Sequence, residues 1–280
     1  MKKIYIFYIF LFFYPLVSIS QWKQNDNFTE KLLFSQTKQL GQFISRFNNE
    51  EDKRGEKYDR NSPIYRQNNW MRRQYIYNLF AKENIDISKD MKDEFVNYIN
   101  SSNNVYLDFH GGEWVAEANA VFLYNNKSEV KITLIFKLQE EKIGSNWVLK
   151  NIYFEDFDNF FFHENKPQIN KFIHPLSHEL EFMNLGRFLN DNYRSAEYYA
   201  NREYKPDFLT LFLYEVKKGN LYFKYVKELK FHFFQIENWY FEISYFNRLT
   251  YNSGWLISDL KKIDLYEKFN LMKKVSYENF

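Results

Sequence analysis

The chain of 280 residues has no cysteine. That absence excludes disulfides, thiolate metal sites, cysteine nucleophiles and the lipidated cysteine of a bacterial lipoprotein anchor, so packing alone must hold the fold. Charge of one sign is also missing. Lys and Arg number 38 against 36 Asp and Glu, a formal net charge of +2, and nothing in that balance favours nucleic acid or an acidic membrane surface. There is no Gly-rich phosphate loop, nucleophile elbow or HExxH helix. No cofactor is expected.

What is present begins with Met1-Lys2-Lys3, an apolar run over 4–17 broken only by Pro15, and small residues at Ser18 and Ser20. A basic start, an apolar core and small residues at −3 and −1 make a secretory signal peptide over 1–20, cut before Gln21. The run is shorter than the roughly 20 residues a spanning helix needs. The mature chain is therefore expected to be soluble, periplasmic or extracellular, with no membrane insertion after cleavage. Cleavage removes two lysines and no acids, taking the formal charge from +2 to zero. Phe 31 and Tyr 23 are high counts; with abundant Asn, Lys and Ile they fit an AT-rich genome as well as a binding surface.

Alternation is strongest over 128–158. Val130, Ile132, Leu134, Phe136 and Leu138 alternate with Lys131, Thr133, Lys137 and Gln139, one apolar and one wet face of a strand. Gly144-Ser145-Asn146 supplies the turn and Trp147 to Phe154 the return strand. The pattern repeats over 239–260, where Asn252-Ser253-Gly254 turns the chain into Trp255-Leu256-Ile257. Upstream, Leu33, Thr37, Leu40, Ile44 and Phe47 predict an amphipathic helix over 30–48. A polar loop follows over 49–69. A second helix is predicted over 70–82, with Ile76, Leu79 and Phe80 inward and Arg72-Arg73 solvated. A third runs over 89–99 with Ser88 as N-cap and Met91, Phe95 and Ile99 on one stripe. Strands are expected over 105–109 and 113–124, the latter placing Trp114, Ala116, Ala118, Ala120 and Phe122 on one face, small enough for a helix to approach closely. The second half predicts a helix over 175–192 with Phe182, Leu185 and Leu189 inward. Strands are expected over 208–217, 221–226, 229–236, 239–249 and 255–260, and then a polar tail over 266–280 that frays or docks Phe269 and Met272. The runs 160–162 and 231–234 are expected to pack internally.

Each half thus opens with an amphipathic helix and ends on a Trp-led return strand, and Leu40-Gly41-Gln42-Phe43 is echoed by Leu185-Gly186-Arg187-Phe188. On these features the chain resembles a tandem pair of NTF2-like (cystatin-like) α+β cone domains in a secreted protein of Bacteroidota-type bacteria. With the signal peptide over 1–20 and a short connector holding Pro167 over 159–171 as the linker, the resemblance implies a first domain over 21–158, a second, shorter domain over 172–265 and a tail over 266–280. NTF2-like domains wrap a bent sheet around the first helix and leave a pocket at the wide end. Members include isomerases, dehydratases and binding modules, so the fold barely constrains activity.

Candidate chemistry is sparse. His110-Gly111-Gly112-Glu113 offers an imidazole and a carboxylate as an acid/base couple, set against a turn whose glycines supply unusual backbone angles. Glu117 and Asn119 need partners if their face is buried. Trp114, Asn119 and Trp147 are the candidate pocket residues. His174 and His178, four apart beside Glu179, are a weak metal pair with no third ligand, and Pro175 favours plain helix-entry chemistry there. The expected function is an exported, non-enzymatic binding protein holding a small apolar ligand, a peptide or a partner protein. The alternative is an isomerase- or hydrolase-type enzyme using His110, Glu113 or Glu117.

Overall fold

The computed structural model describes residues 40–52, 55–67, 69–82, 86–101, 104–142, 144–161, 204–247 and 253–278, together with Asn190. The expected signal peptide, the His174 and His178 pair, the helix over 175–192 and most of the linker lie outside the described residues. So do the side chains of Phe160, Phe161 and Phe162.

The fold is α+β, built on one curved antiparallel sheet of six strands. Helix α1 (40–47), α2 (Asn69–Leu79) and α3 (Lys89–Ile99) come first, then β1 (Trp114–Tyr124), β2 (Ser128–Glu141) and β3 (Gly144–Tyr153). The short α4 (Glu155–Phe161) and α5 (Phe208–Lys217) lead into β4 (Leu221–Phe233), β5 (Trp239–Phe246), β6 (Gly254–Lys262) and α6 (Leu265–Ser276). The strand order is β3-β2-β1-β4-β5-β6. The two Trp-led hairpins are therefore the wings of a single sheet, joined where β1 pairs with β4 from Trp114↔Phe233 to Tyr124↔Leu221.

The inner face follows the period-2 rule. Trp114 stacks on Phe233 at 5.0 Å, Phe233 on Phe241 at 4.8 Å, and Phe241 on Phe47 of α1 at 6.0 Å, a ladder of rings crossing β1, β4 and β5 onto the helix. The two hairpin tryptophans meet here as well, Trp147 at 5.8 Å and Trp255 at 4.9 Å from Phe231. Helices α1 to α3 cover this end. Farther along β1, Ala118, Ala120 and Phe122 pack with Phe208 and Phe212 of α5, the small residues admitting the helix closely. Cap chemistry agrees with the sequence at α3, where the Ser88 hydroxyl accepts from the Met91 N–H.

Several expectations are corrected. The apolar run 208–217, expected as a strand, is α5: an unbroken apolar stretch suits either state, and the Asp207 carboxylate caps it by accepting from Leu209 and Thr210 N–H. Two expected strands, 221–226 and 229–236, are the single β4, whose register slips past Lys224 and Lys227 as bulges instead of turning. Residues 105–109 form no strand, because side-chain amides take their backbone groups: Leu107 exchanges hydrogen bonds with Asn48, and the Asp108 N–H donates to Gln235. The loop after α1 is not wholly solvated, since Asn49 and Glu51 are buried. Phe269 does not dock, being 55% exposed, whereas Met272 packs against the sheet.

Arg72 is the largest departure. It is 0% exposed, not solvated. Its guanidinium donates to the carbonyls of Phe47, Ile99 and Val105, so it takes the last carbonyls of α1 and α3, and it lies over the Phe47 and Tyr106 rings. Helix C-termini carry partial negative charge, and the fork supplies the donors they lack. Burial lowers its pKa to about 10.

Candidate functional site

The outer face of the same strands carries the polar residues. Alternation puts Val115, Glu117 and Asn119 of β1 opposite His232, Lys230 and Glu228 of β4, and His232 opposite Glu242 of β5. The Glu117 carboxylate lies 3.1 Å from His232 Nε2, and His232 Nδ1 lies 2.9 Å from the Tyr240 hydroxyl. With Nε2–H donating to Glu117, Nδ1 accepts from Tyr240. His232 and Tyr240 are each 3% exposed. Burial, reinforced by nearby Glu242, Asp259 and Glu117, raises the Tyr240 pKa and keeps its proton on.

Burial pushes Glu117 up, but the His232 ring beside it, then Lys230 and Asn119, outweigh it and hold the carboxyl below its ordinary value. Asn119 donates to Glu117 and Glu228 and accepts from Thr133 at 2.8 Å. Lys230 sits 3.5 Å from Glu242 and 3.6 Å from Glu228. Desolvation pulls its pKa down, and these carboxylates together with Glu117 more than reverse that.

α6 lies over part of this face. A capping box between Asp264 and Glu267 starts it, and Leu271, Met272 and Val275 pack on Phe234, Tyr240 and Ile263. At its C-terminal end, Tyr277 takes a left-handed backbone (φ 51) and stacks on Tyr153 at 4.8 Å, while Asn151 donates to the carbonyls of Ser276 and Tyr277.

Between α6 and the sheet end is a cavity of about 180 Å³. It is lined by residues that include His110, Glu113, Val115, Lys137, Phe234 and Met272. Its rim is built firmly. The Gln235 amide donates to the carbonyls of Asp108 and Gly112, and the His110 N–H donates to the Asp108 carboxylate. Gly112 and Glu113 both have positive φ, and a Cβ on Gly111 would stand 2.9 Å from the Asp108 Cβ.

The predicted residues therefore divide three ways. His110 and Glu113 both line the cavity, but they do not form the expected couple: His110 Nδ1 meets the Ser145 hydroxyl at 3.0 Å, while Glu113 takes Lys268 on both oxygens at 3.0 Å. The turn aims the two side chains apart. Glu117 and Asn119, both half-buried, belong to the hydrogen-bonded network around His232. Trp114 and Trp147 meet edge to face at 5.0 Å in the core, and of the two only Trp114 lines the cavity.

Sequence reasoning missed His232 and Tyr240, although a signal existed. In Phe231-His232-Phe233 the histidine takes the face opposite two core rings, in register with the face of Glu117. Among the described residues, no group of three or more His, Cys, Asp or Glu is placed to hold a metal, and no helix is long and apolar enough to cross a membrane. No protein-family model, curated protein or solved structure matches the chain.

Proposed function

We propose that this is an exported, non-enzymatic binding protein of the cell envelope, and that its site is the cavity between α6 and the sheet end. Support for export is the basic and apolar start of the chain with Ser18 and Ser20 before Gln21. Support for an NTF2-like origin is the seating of α1 and α3 on the inner face of a curved sheet; the tandem form has against it that both hairpins share that sheet.

The observation that carries the binding reading is the separation of cavity from relay. The 180 Å³ space is bounded by an apolar wall and surface charges, while Tyr240 packs under α6 and the His232 ring is buried beside it. A space this small, below the roughly 300 Å³ of a drug-sized pocket, suits an anchoring group of a peptide or partner. Native mass spectrometry with a pool of tetrapeptides tests this. Val115→Trp, which fills the cavity, is expected to abolish occupancy with the fold retained; unchanged occupancy sinks the assignment.

The alternative, an isomerase- or hydrolase-type enzyme, draws on one observation: Tyr240, His232 and Glu117 stand in the order hydroxyl, imidazole, carboxylate of an acid/base relay. Hydrolysis of p-nitrophenyl acetate that is abolished by Glu117→Gln, with peptide binding intact, would favour it.

A further inference from the structure

We infer that the cavity is a receptor for the α-carboxylate end of an apolar amino-acid unit, an inference that rests on the binding reading above. The sheet splits at this point. β1 pairs with β2 only as far as Ala116↔Phe136, whereas β2 runs on to Glu141 paired with β3 alone. The cavity occupies the gap, with Lys137, Leu138 and Glu140 of β2 on one side and the 110–115 segment on the other.

One wall is thus a strand edge. Among the described residues, no strand pairs with Lys137 to Glu141 on that side, and an extended chain is what pairs with such an edge. The facing wall is apolar, made by Val115, Phe234 and Met272, and receives a side chain. Charge supplies the third element. Lys150 is held by Glu278 at 2.6 Å and by the Ser276 hydroxyl, and Glu113 is held by Lys268. Lys137 makes no ion pair among the described residues and remains the cavity's uncommitted ammonium, on the same strand as the free edge.

An extended peptide's last residue offers the three complements together: main-chain groups for the edge, an apolar side chain for the facing wall and a carboxylate for Lys137. The volume holds about six water-sized groups, taking ~30 Å³ for each, which is one residue and not several. Glu140 lines the same space and is also unpaired among the described residues. A free amino acid would bring an ammonium to it, where a peptide brings a neutral amide.

The test uses the full chain with three probes: N-acetyl-Gly-Leu as the free acid, the same compound as the C-terminal amide, and free leucine. Chemical shifts of the Val115 and Met272 methyls report occupancy. The acid is expected to bind at least tenfold more tightly than the amide. Lys137→Met should remove that preference, while Lys131→Met, exposed elsewhere on β2, leaves it intact. Tighter binding of leucine, weakened by Glu140→Gln, also supports the inference and identifies the free amino acid as the source. Equal binding of acid and amide at these methyls overturns the carboxylate inference while leaving the cavity a binding site. No methyl shift with any probe at millimolar concentration overturns both.

Discussion

Strands β1, β4 and β5 present two faces whose residues are neighbours in sequence and opposites in chemistry. On the inner side Trp114, Phe233 and Phe241 form a ladder of stacked rings; one residue along, His232 and Glu242 face outward into a hydrogen-bonded charged network and Val115 lines the cavity. The inner face gains stability from area removed from water, about 1.5–3 kcal/mol for each large side chain. The outer face gains little net, because each buried charge must first recover its desolvation cost. The difference teaches where function has room: the inner face fixes the sheet, and only the outer face carries groups able to recognise charge.

The largest effect on that contrast is expected from Phe241→Ala, which removes the ring central to the ladder and should cost about 3–5 kcal/mol in urea unfolding. Arg72→Lys should follow at about 2–3 kcal/mol, because an ammonium cannot reach three carbonyls at once and leaves buried acceptors unsatisfied; a loss under ~0.5 kcal/mol would show that the fork is dispensable.

On the outer face, Glu117→Gln should cost about 1–3 kcal/mol at pH 7. Its pH dependence has a definite sign. The folded-state pKa of Glu117 lies below its ordinary value, so its contribution is present above the unfolded carboxyl pKa, ~4.3, and fades as pH falls through the folded value. The gap between wild type and variant should therefore close in acid, and a gap that widens there would contradict the assignment. Tyr240→Phe removes one neutral donor and should cost about 1 kcal/mol. Lys268→Ala breaks a pair whose Glu113 end is half exposed and should stay within about 1 kcal/mol, so a larger loss would mean that α6 hangs on that contact.

Much of this was legible in the sequence because alternation is a local property. The Trp114-to-Phe122 face, the hairpin return strands led by Trp147 and Trp255, and the Ser88 cap all follow from spacing and side-chain type. What was not legible is non-local. No pattern announces that β1 pairs with β4 more than a hundred residues away, and that pairing turns two expected sheets into one. An all-apolar run such as 208–217 has no period to read, so Asp207 decided its state. Arg72 was misplaced because arginine is read as surface, and its partners are backbone carbonyls that composition cannot display. For the candidate site, the sequence singled out Glu117, His110 and Glu113 individually but could not assort them, since which carboxylate meets which imidazole depends on register across strands.

β4 meets β5 only over Lys230 to Phe233, so among the described residues its first nine positions have β1 on one side and no strand on the other. The two extra residues there, Lys224 and Lys227, are both charged and both kink the strand. A bulged border that carries charged side chains is a poor template for another copy's strand. Bulge and charge together work against fibril growth from this border, through two lysines that take no part in the core, one of them tied to Glu129 at 2.7 Å.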